Sequence, residues 1–202
     1  MLCDLGEVAG FGQPGGPRPW VALAGPSGAG KDTLLAAAQA ELAGDPHFHF
    51  ARRSVTRLPT PGGEAHEPLT PAAFEAELAA GQFLLHWRAH GLGYGIRHAE
   101  APGGCVVVLS LSRAVLLEAA ALRPLTVIEV TAPPALLAAR LAGRGREDAA
   151  AIAARLAREV PLPPALDVRR VVNDGTVEAG TARLRSALEA VAAACLPGGI
   201  RP

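Results

Sequence analysis

Lysine is all but missing from this chain. Lys31 is the only one in 202 residues, so eighteen of the nineteen basic residues are arginine. GC-rich coding accounts for a bias toward Arg, Ala, Gly and Pro, yet any amine chemistry in the sequence falls to Lys31. Cysteine is scarce as well. Cys3, Cys105 and Cys195 are odd in number, far apart and form no CxxC pair, which excludes a disulfide framework and a zinc ribbon. Reduced thiols suit the cytoplasm, which is the expected location. No apolar run approaches the roughly 18 residues of a membrane span. The start of the chain has no basic stretch followed by an apolar run, because Asp4 and Glu7 come early, so no signal peptide is expected. A charge excess of either sign is also lacking, with 19 acidic and 19 basic residues. No global field draws the chain to nucleic acid or to an anionic membrane, and neither is expected as a partner. Anion binding has to be local.

What is present fits one domain with a real core. Residues 1–18 are rich in Gly and Pro without periodicity and read as a loose leader. The domain is expected over 19–195, with 196–202 as a tail. An apolar run at 20–24 feeds a glycine loop and then an alanine- and leucine-rich helix. A strand is expected over 48–55, an irregular proline-rich loop over 58–70, and a helix from Thr70 with Pro71 in its first turn, stopping at Gly81. Residues 83–96 mix aromatics, histidines and glycines and read as short strands or loops lining a surface. Runs at 105–111 and 125–130 have the continuous apolar character of strands buried on both faces. Helices are expected over 113–122, from Pro133-Pro134 to about 142, and over 148–159. A strand at 168–172 precedes a last helix whose Val177, Leu184, Leu188, Val191 and Cys195 form one stripe. Strands alternating with helices make this an α/β fold, a parallel sheet covered on both faces.

Gly25-Pro26-Ser27-Gly28-Ala29-Gly30-Lys31 matches GxxxxGK between a strand and a helix, the context this phosphate loop requires. Glycines let successive N–H groups point at phosphate oxygens, the helix start adds partial positive charge, and Lys31 reaches the β- and γ-phosphates. A nucleoside triphosphate, ATP with Mg2+, is the expected ligand. The usual Ser or Thr after the lysine is replaced by Asp32, with Thr33 next. Asp32 is either a hard oxygen ligand for magnesium or a helix-start acid turned outward, and Thr33 is the hydroxyl candidate for the metal.

The order of parts resembles the guanylate kinase fold: the phosphate loop, SVTR at 54–57, a helix ending in AGQF, GYG at 93–95 and RGRE at 144–147. The resemblance implies a P-loop kinase with an acceptor lobe at about 54–98 and an arginine lid at about 140–158. It carries acceptor-phosphate binding onto Arg57 and Tyr94. The two acids that read guanine in that family are replaced by His86 and by Ser110 or Ser112. The second acceptor arginine, expected near Thr60, is missing, and Glu64-Ala65-His66-Glu67-Pro68 stands where that family has GxDYxF. A guanine site without its hydrogen-bonding groups discriminates poorly.

A sister family fits these departures. Gly30-Lys31-Asp32-Thr33-Leu34-Leu35, Glu64-Ala65-His66, the stretch from His86-Trp87 to Tyr94-Gly95, Ser112-Arg113-Ala114, Arg144-Gly145-Arg146-Glu147 and Ala154-Arg155-Leu156-Ala157-Arg158 together resemble the ribose 1,5-bisphosphate phosphokinases of phosphonate catabolism. Gly93 departs from that pattern, where a second tyrosine is frequent. The resemblance implies transfer of the γ-phosphoryl group of ATP to the small molecule ribose 1,5-bisphosphate, giving phosphoribosyl diphosphate. Two alternatives stay open: a guanylate kinase, or a non-catalytic domain of this fold that binds a phosphorylated protein, against which the intact Lys31 speaks.

A phosphate acceptor is already an anionic nucleophile, so the site needs positive charge rather than a general base. Planar arginine forks supply it. On the acceptor side the candidates are Arg57 and Arg113. From the lid, Arg144 and Arg155 act on the transferred group, Arg146 on the substrate and Arg140 on ATP. Glu64, His66, His86 and Ser112 are candidates for ribose hydroxyls, with loop bonding the alternative for the histidines. Asn173, after the last strand, lies either near the adenine or in an ordinary turn.

Overall fold

A strand covered on both faces has no solvent side to which a polar residue can point, and Trp20–Ala24 (β1) has none. A computed structural model of the chain describes residues 18–58, 65–143 and 161–195. In it all five residues of β1 are buried. Around it stand β2 (Phe48–Phe50), β7 (Val106–Ser110), β8 (Leu125–Thr131) and β9 (Asp167–Val172). The order is β2-β7-β1-β8-β9, and every pairing is parallel. Parallel neighbours need crossover connections, which places helices over the sheet. One face carries α1 (Lys31–Glu41) and α5 (Val177–Ala194), whose Leu34, Ala38, Leu184 and Leu188 pack with Val21 and Ile128, joined by Leu137 of α4 (Pro134–Ala142). Full burial of each such leucine stabilises by roughly 1.5–3 kcal/mol. The other face packs Trp20, Leu109 and Val127 against Leu116 and Ala119 of α3 (Leu116–Leu122). This is the α/β fold expected from the strand–helix alternation.

A second, mixed sheet of four strands is built from β3 (Arg53–Val55), β4 (His66–Pro68), β5 (Phe83–Ala89) and β6 (Leu92–Arg97), in the order β4-β3-β6-β5. Its outer side is covered by α2 (Pro71–Ala79), which begins with Pro71 at N1 and the Thr70 hydroxyl accepting from the Ala73 N–H at 3.1 Å. The chain leaves α2 through Gly81, at φ +67°.

Four expectations need correction. Residues 48–55 form two strands. Phe48–Phe50 pairs with β7, whereas Arg53–Val55 pairs with β4 and β6. At the crossing Glu100 accepts from the Arg52 N–H at 2.9 Å and contacts the His49 ring at 3.0 Å. Residues 83–96 are a core hairpin, because Leu85, Trp87 and Ile96 are buried with Trp20 and Leu109. The exposed His86 and Arg88 at alternate positions masked a period-2 pattern. The helix expected over 113–122 begins with a tight turn, Arg113–Val115, before α3. Val177 is 45% exposed and leaves the α5 stripe, in which Gly180 and Thr181 are buried instead. The leader up to residue 17, the tail 196–202 and the helix at 148–159 lie outside the described residues, as does most of the lid. No helix among the described residues is long and apolar enough to cross a membrane.

Candidate active site

The loop from Gly25 to Gly30 joins β1 to α1 at the carboxyl edge of the five-stranded sheet, the edge where ligands bind in open α/β folds. Two of its glycines are obligatory. Gly25 has φ +145°, and a Cβ there would lie 2.0 Å from the Val130 carbonyl oxygen. Gly30 has φ +87°, and its Cβ would lie 2.5 Å from the Asn173 amide nitrogen. Lys31 opens α1 and Asp32 is the acid of its first turn. Asp32 and Thr33 are both exposed.

The loop is braced from outside. Asn173, 6% exposed, donates its amide N–H to the Ala29 carbonyl at 2.8 Å. Arg140, in the last turn of α4, makes longer contacts to the carbonyls of Gly28 (3.4 Å) and Ala29 (3.5 Å). Between these parts lies a cavity of about 410 Å³ whose walls include Gly30, Thr33, Arg140, Asn173, Gly175 and Val177. Thr33 faces this cavity and Asp32 does not line it, so the two metal candidates are separated. The exposed Val177 that breaks the α5 stripe is one of its apolar walls.

On the acceptor side the second sheet presents Tyr94, whose ring stacks on Trp87 at 5.3 Å and 4°. Arg57 is exposed just beyond β3. His66 is 7% exposed, with its ring Nε2 3.0 Å from the Arg57 carbonyl oxygen. It lies beneath the Arg57 turn, in contact with loop backbone. His86 does not join Tyr94. It neighbours Trp87 in a strand, so its side chain points to the opposite face, where Arg88 pairs with Glu75 of α2. The structure therefore does not bring His86, expected among the ligands of the ribose hydroxyls, together with Tyr94. Gly93 has a packing reason: a Cβ would meet the Phe74 ring at 2.9 Å, so Phe74 fills the space that a second tyrosine's stem would need.

At the end of β7, Ser112 caps the following turn, its hydroxyl accepting from the Ala114 N–H at 3.4 Å. Arg113 pairs with Glu129 of β8 at 3.1 Å, both side chains being largely buried, and Arg170 of β9 reaches the same carboxylate at 3.0 Å. Glu129 stands beside Ala24 in register, one residue before the phosphate loop. Glu64, Arg144, Arg146 and Arg155 lie outside the described residues.

The sequence reading missed Arg53, Glu129 and Thr56. Thr56 accepts from the Gly93 N–H at 2.8 Å through its hydroxyl. Period-2 alternation from Val55 would have put Arg53 on the Tyr94 face, but in so arginine-rich a chain it carried no distinguishing signal. Glu129 was hidden inside an otherwise apolar strand.

No protein-family model matches the chain. It is 49% identical over 143 residues to a ribose 1,5-bisphosphate phosphokinase of Methylobacterium radiotolerans, covering 69% of this chain and 81% of that one. It is 50% identical over 137 residues to a bifunctional ribose 1,5-bisphosphokinase-thymidine phosphorylase of Azorhizobium caulinodans, covering 66% of this chain but 20% of that longer protein. Among solved structures, a guanylate kinase from Anaplasma phagocytophilum matches with a TM-score of 0.62 at 16% identity, covering 86% of each chain. That likeness concerns the fold.

Proposed function

The chain belongs to the ribose 1,5-bisphosphate phosphokinase family, and from that premise we propose that it transfers the γ-phosphoryl group of ATP to the 1-phosphate of ribose 1,5-bisphosphate. The observation that carries this reading is the 49% identity across most of the Methylobacterium radiotolerans enzyme. An oxygen of the acceptor phosphate attacks the γ-phosphorus, the bond from that phosphorus to the β,γ-bridging oxygen breaks, and phosphoribosyl diphosphate and ADP are the products. No proton needs removal from the nucleophile, which agrees with a site built from arginines and a lysine.

The cavity beside Gly30 takes the nucleotide, with Val177 against the base, Asn173 and Arg140 holding the loop, and the start of α1 with Lys31 on the phosphates. Magnesium, when bound, would supply positive charge against the phosphates. Thr33, which lines the cavity, fits as a hard oxygen donor that would hold the ion, whereas Asp32 on the same turn of α1 lies outside the cavity wall. Arg57, Tyr94, Ser112 and Arg113 receive the acceptor, with His66 holding the Arg57 turn from below. The family resemblance assigns Arg144 and Arg155 to the transferred group and Arg146 to the substrate, within a lid at about 140–158, and assigns the acceptor lobe to about 54–98. Cys105 and Cys195 are free thiols, which suits the cytoplasm as the place of action, within phosphonate catabolism.

The test follows ADP release with ATP and magnesium, using ribose 1,5-bisphosphate against GMP. Turnover with the sugar bisphosphate and little with GMP is expected. Preference for GMP would replace this reading with guanylate kinase activity, and inactivity with both acceptors would sink it in favour of another acceptor or the phosphoprotein-binding alternative.

A further inference from the structure

Arg53 is a half-buried cation on β3 that spans the gap between the two sheets. Its guanidinium carbon lies 5.4 Å from the centroid of the Tyr94 ring, and one guanidinium nitrogen approaches the Ser110 carbonyl at the end of β7, at 3.5 Å. β6 lies between β3 and β5, so the guanidinium and the Trp87 indole come to the Tyr94 ring from its two sides. Aromatic rings stack at centroid separations of roughly 4.5–7 Å. The guanidinium already sits within that range, in the place a planar base would have to take to stack on the chain's single tyrosine. The same group is a fixed charge with five N–H donors in one plane, able to hold a carbonyl and an anionic oxygen together. It lies between Tyr94 and the Ser110–Ser112 segment, at the carboxyl edge of the core sheet.

We infer that Arg53 selects the acceptor: its charge binds a phosphate of a sugar bisphosphate, and its guanidinium closes the Tyr94 face to a nucleobase. This rests on the phosphokinase reading and goes beyond it by naming the group that separates a sugar bisphosphate from a nucleoside monophosphate. Tyr94 and Trp87 alone would form an aromatic platform open to a purine; with Arg53 in place the platform is capped by positive charge.

The experiment compares wild type, R53S and R53K with ribose 1,5-bisphosphate and with GMP, reading KM and kcat for each acceptor, KM for ATP, and the melting temperature. R53S is expected to raise the sugar-bisphosphate KM by about 10- to 100-fold, the range for losing a charge-assisted hydrogen bond. It leaves the ATP KM within about twofold and raises kcat/KM for GMP, so that the ratio between acceptors collapses. R53K keeps the charge and recovers part of the sugar-bisphosphate KM. A wild type that favours GMP overturns the reading and the inference together. A wild type that favours the sugar bisphosphate, with R53S changing neither the acceptor ratio nor that KM, overturns the inference alone. Equal loss with both acceptors does the same. Should R53S fail to fold, R53K decides: the sugar-bisphosphate KM raised severalfold at unchanged ATP KM supports the assignment, and an unchanged acceptor KM refutes it.

Discussion

The side-chain amide of Asn173 donates to the carbonyl of Ala29 at 2.8 Å, joining residues 144 positions apart in the chain. The bond ties the end of β9 to the phosphate loop and satisfies a carbonyl that the loop's turn leaves without a helical partner. Removing it leaves the buried carbonyl only the long 3.5 Å contact from Arg140, at a cost of about 1–3 kcal/mol. Asn173→Ala should lower unfolding free energy by that amount in urea titrations and raise the ATP KM severalfold. Asn173→Asp, which sets a carboxylate against the carbonyl, should do worse. An ATP KM unchanged in both variants would separate Asn173 from nucleotide binding.

Lys31 is the one lysine of the sequence, which makes its role accessible to chemistry as well as mutation. Acylation by an amine reagent, mapped by mass spectrometry, should mark Lys31 in the free protein and be suppressed by ATP with magnesium. Lys31→Ala should lower turnover by at least about 100-fold, the scale for removing one preorganised electrostatic contact, while the melting temperature stays nearly constant. Labelling that ignores ATP would contradict the assignment.

Glu129 holds Arg113 and Arg170 on one carboxylate, with its own side chain 12% exposed and that of Arg113 16%. Taking away one member of so buried a pair strands the other charge, at a cost of about 3 kcal/mol. Glu129→Ala should therefore unfold at markedly lower denaturant, and the acceptor KM should rise as Arg113 loses its anchor while the ATP KM holds. Arg113→Ala should reproduce the kinetic effect. If the acceptor KM moves in neither variant, the pair is structural.

The second sheet carries its own acid sensitivity. The Arg97 guanidinium, bonded to Glu67 at 2.7 and 3.1 Å, holds that carboxyl below its ordinary value of 4.5, with the Ser54 hydroxyl adding a 2.6 Å bond. A carboxyl with a depressed folded-state pKa contributes stability that is complete above the unfolded value and disappears as pH falls through the folded one. Stability should thus decline below about pH 4.5, and Glu67→Gln should flatten part of that decline in melts recorded from pH 7 to pH 3. A variant curve parallel to wild type would remove Glu67 from the account.

The phosphate loop was legible because it is local: its glycines, Lys31 and the following helix are contiguous, and backbone geometry demands those residue types at those spacings. The central strands β1, β7 and β8 were legible for a related reason, since a strand buried on both faces must be apolar almost throughout. Residues 48–55 and 83–96 were not. The first is one extended run that two sheets share, and nothing local records where it changes partner. The second interleaves buried Leu85 and Trp87 with exposed His86 and Arg88, and polar residue types concealed the alternation.

The sequence by itself determined the fold class, the nucleotide loop and the resemblance that named the acceptor, all of which reside in runs of neighbouring residues. Tertiary structure alone decided that His86 and Tyr94 lie on opposite faces of a sheet, that His66 is buried under Arg57, that Phe74 leaves no room at Gly93 for a side chain, and that Arg53 caps the Tyr94 ring. Those relations depend on which strands pair and in which register. Register is set by long-range burial of one face against the core, so no local pattern in this chain encodes them.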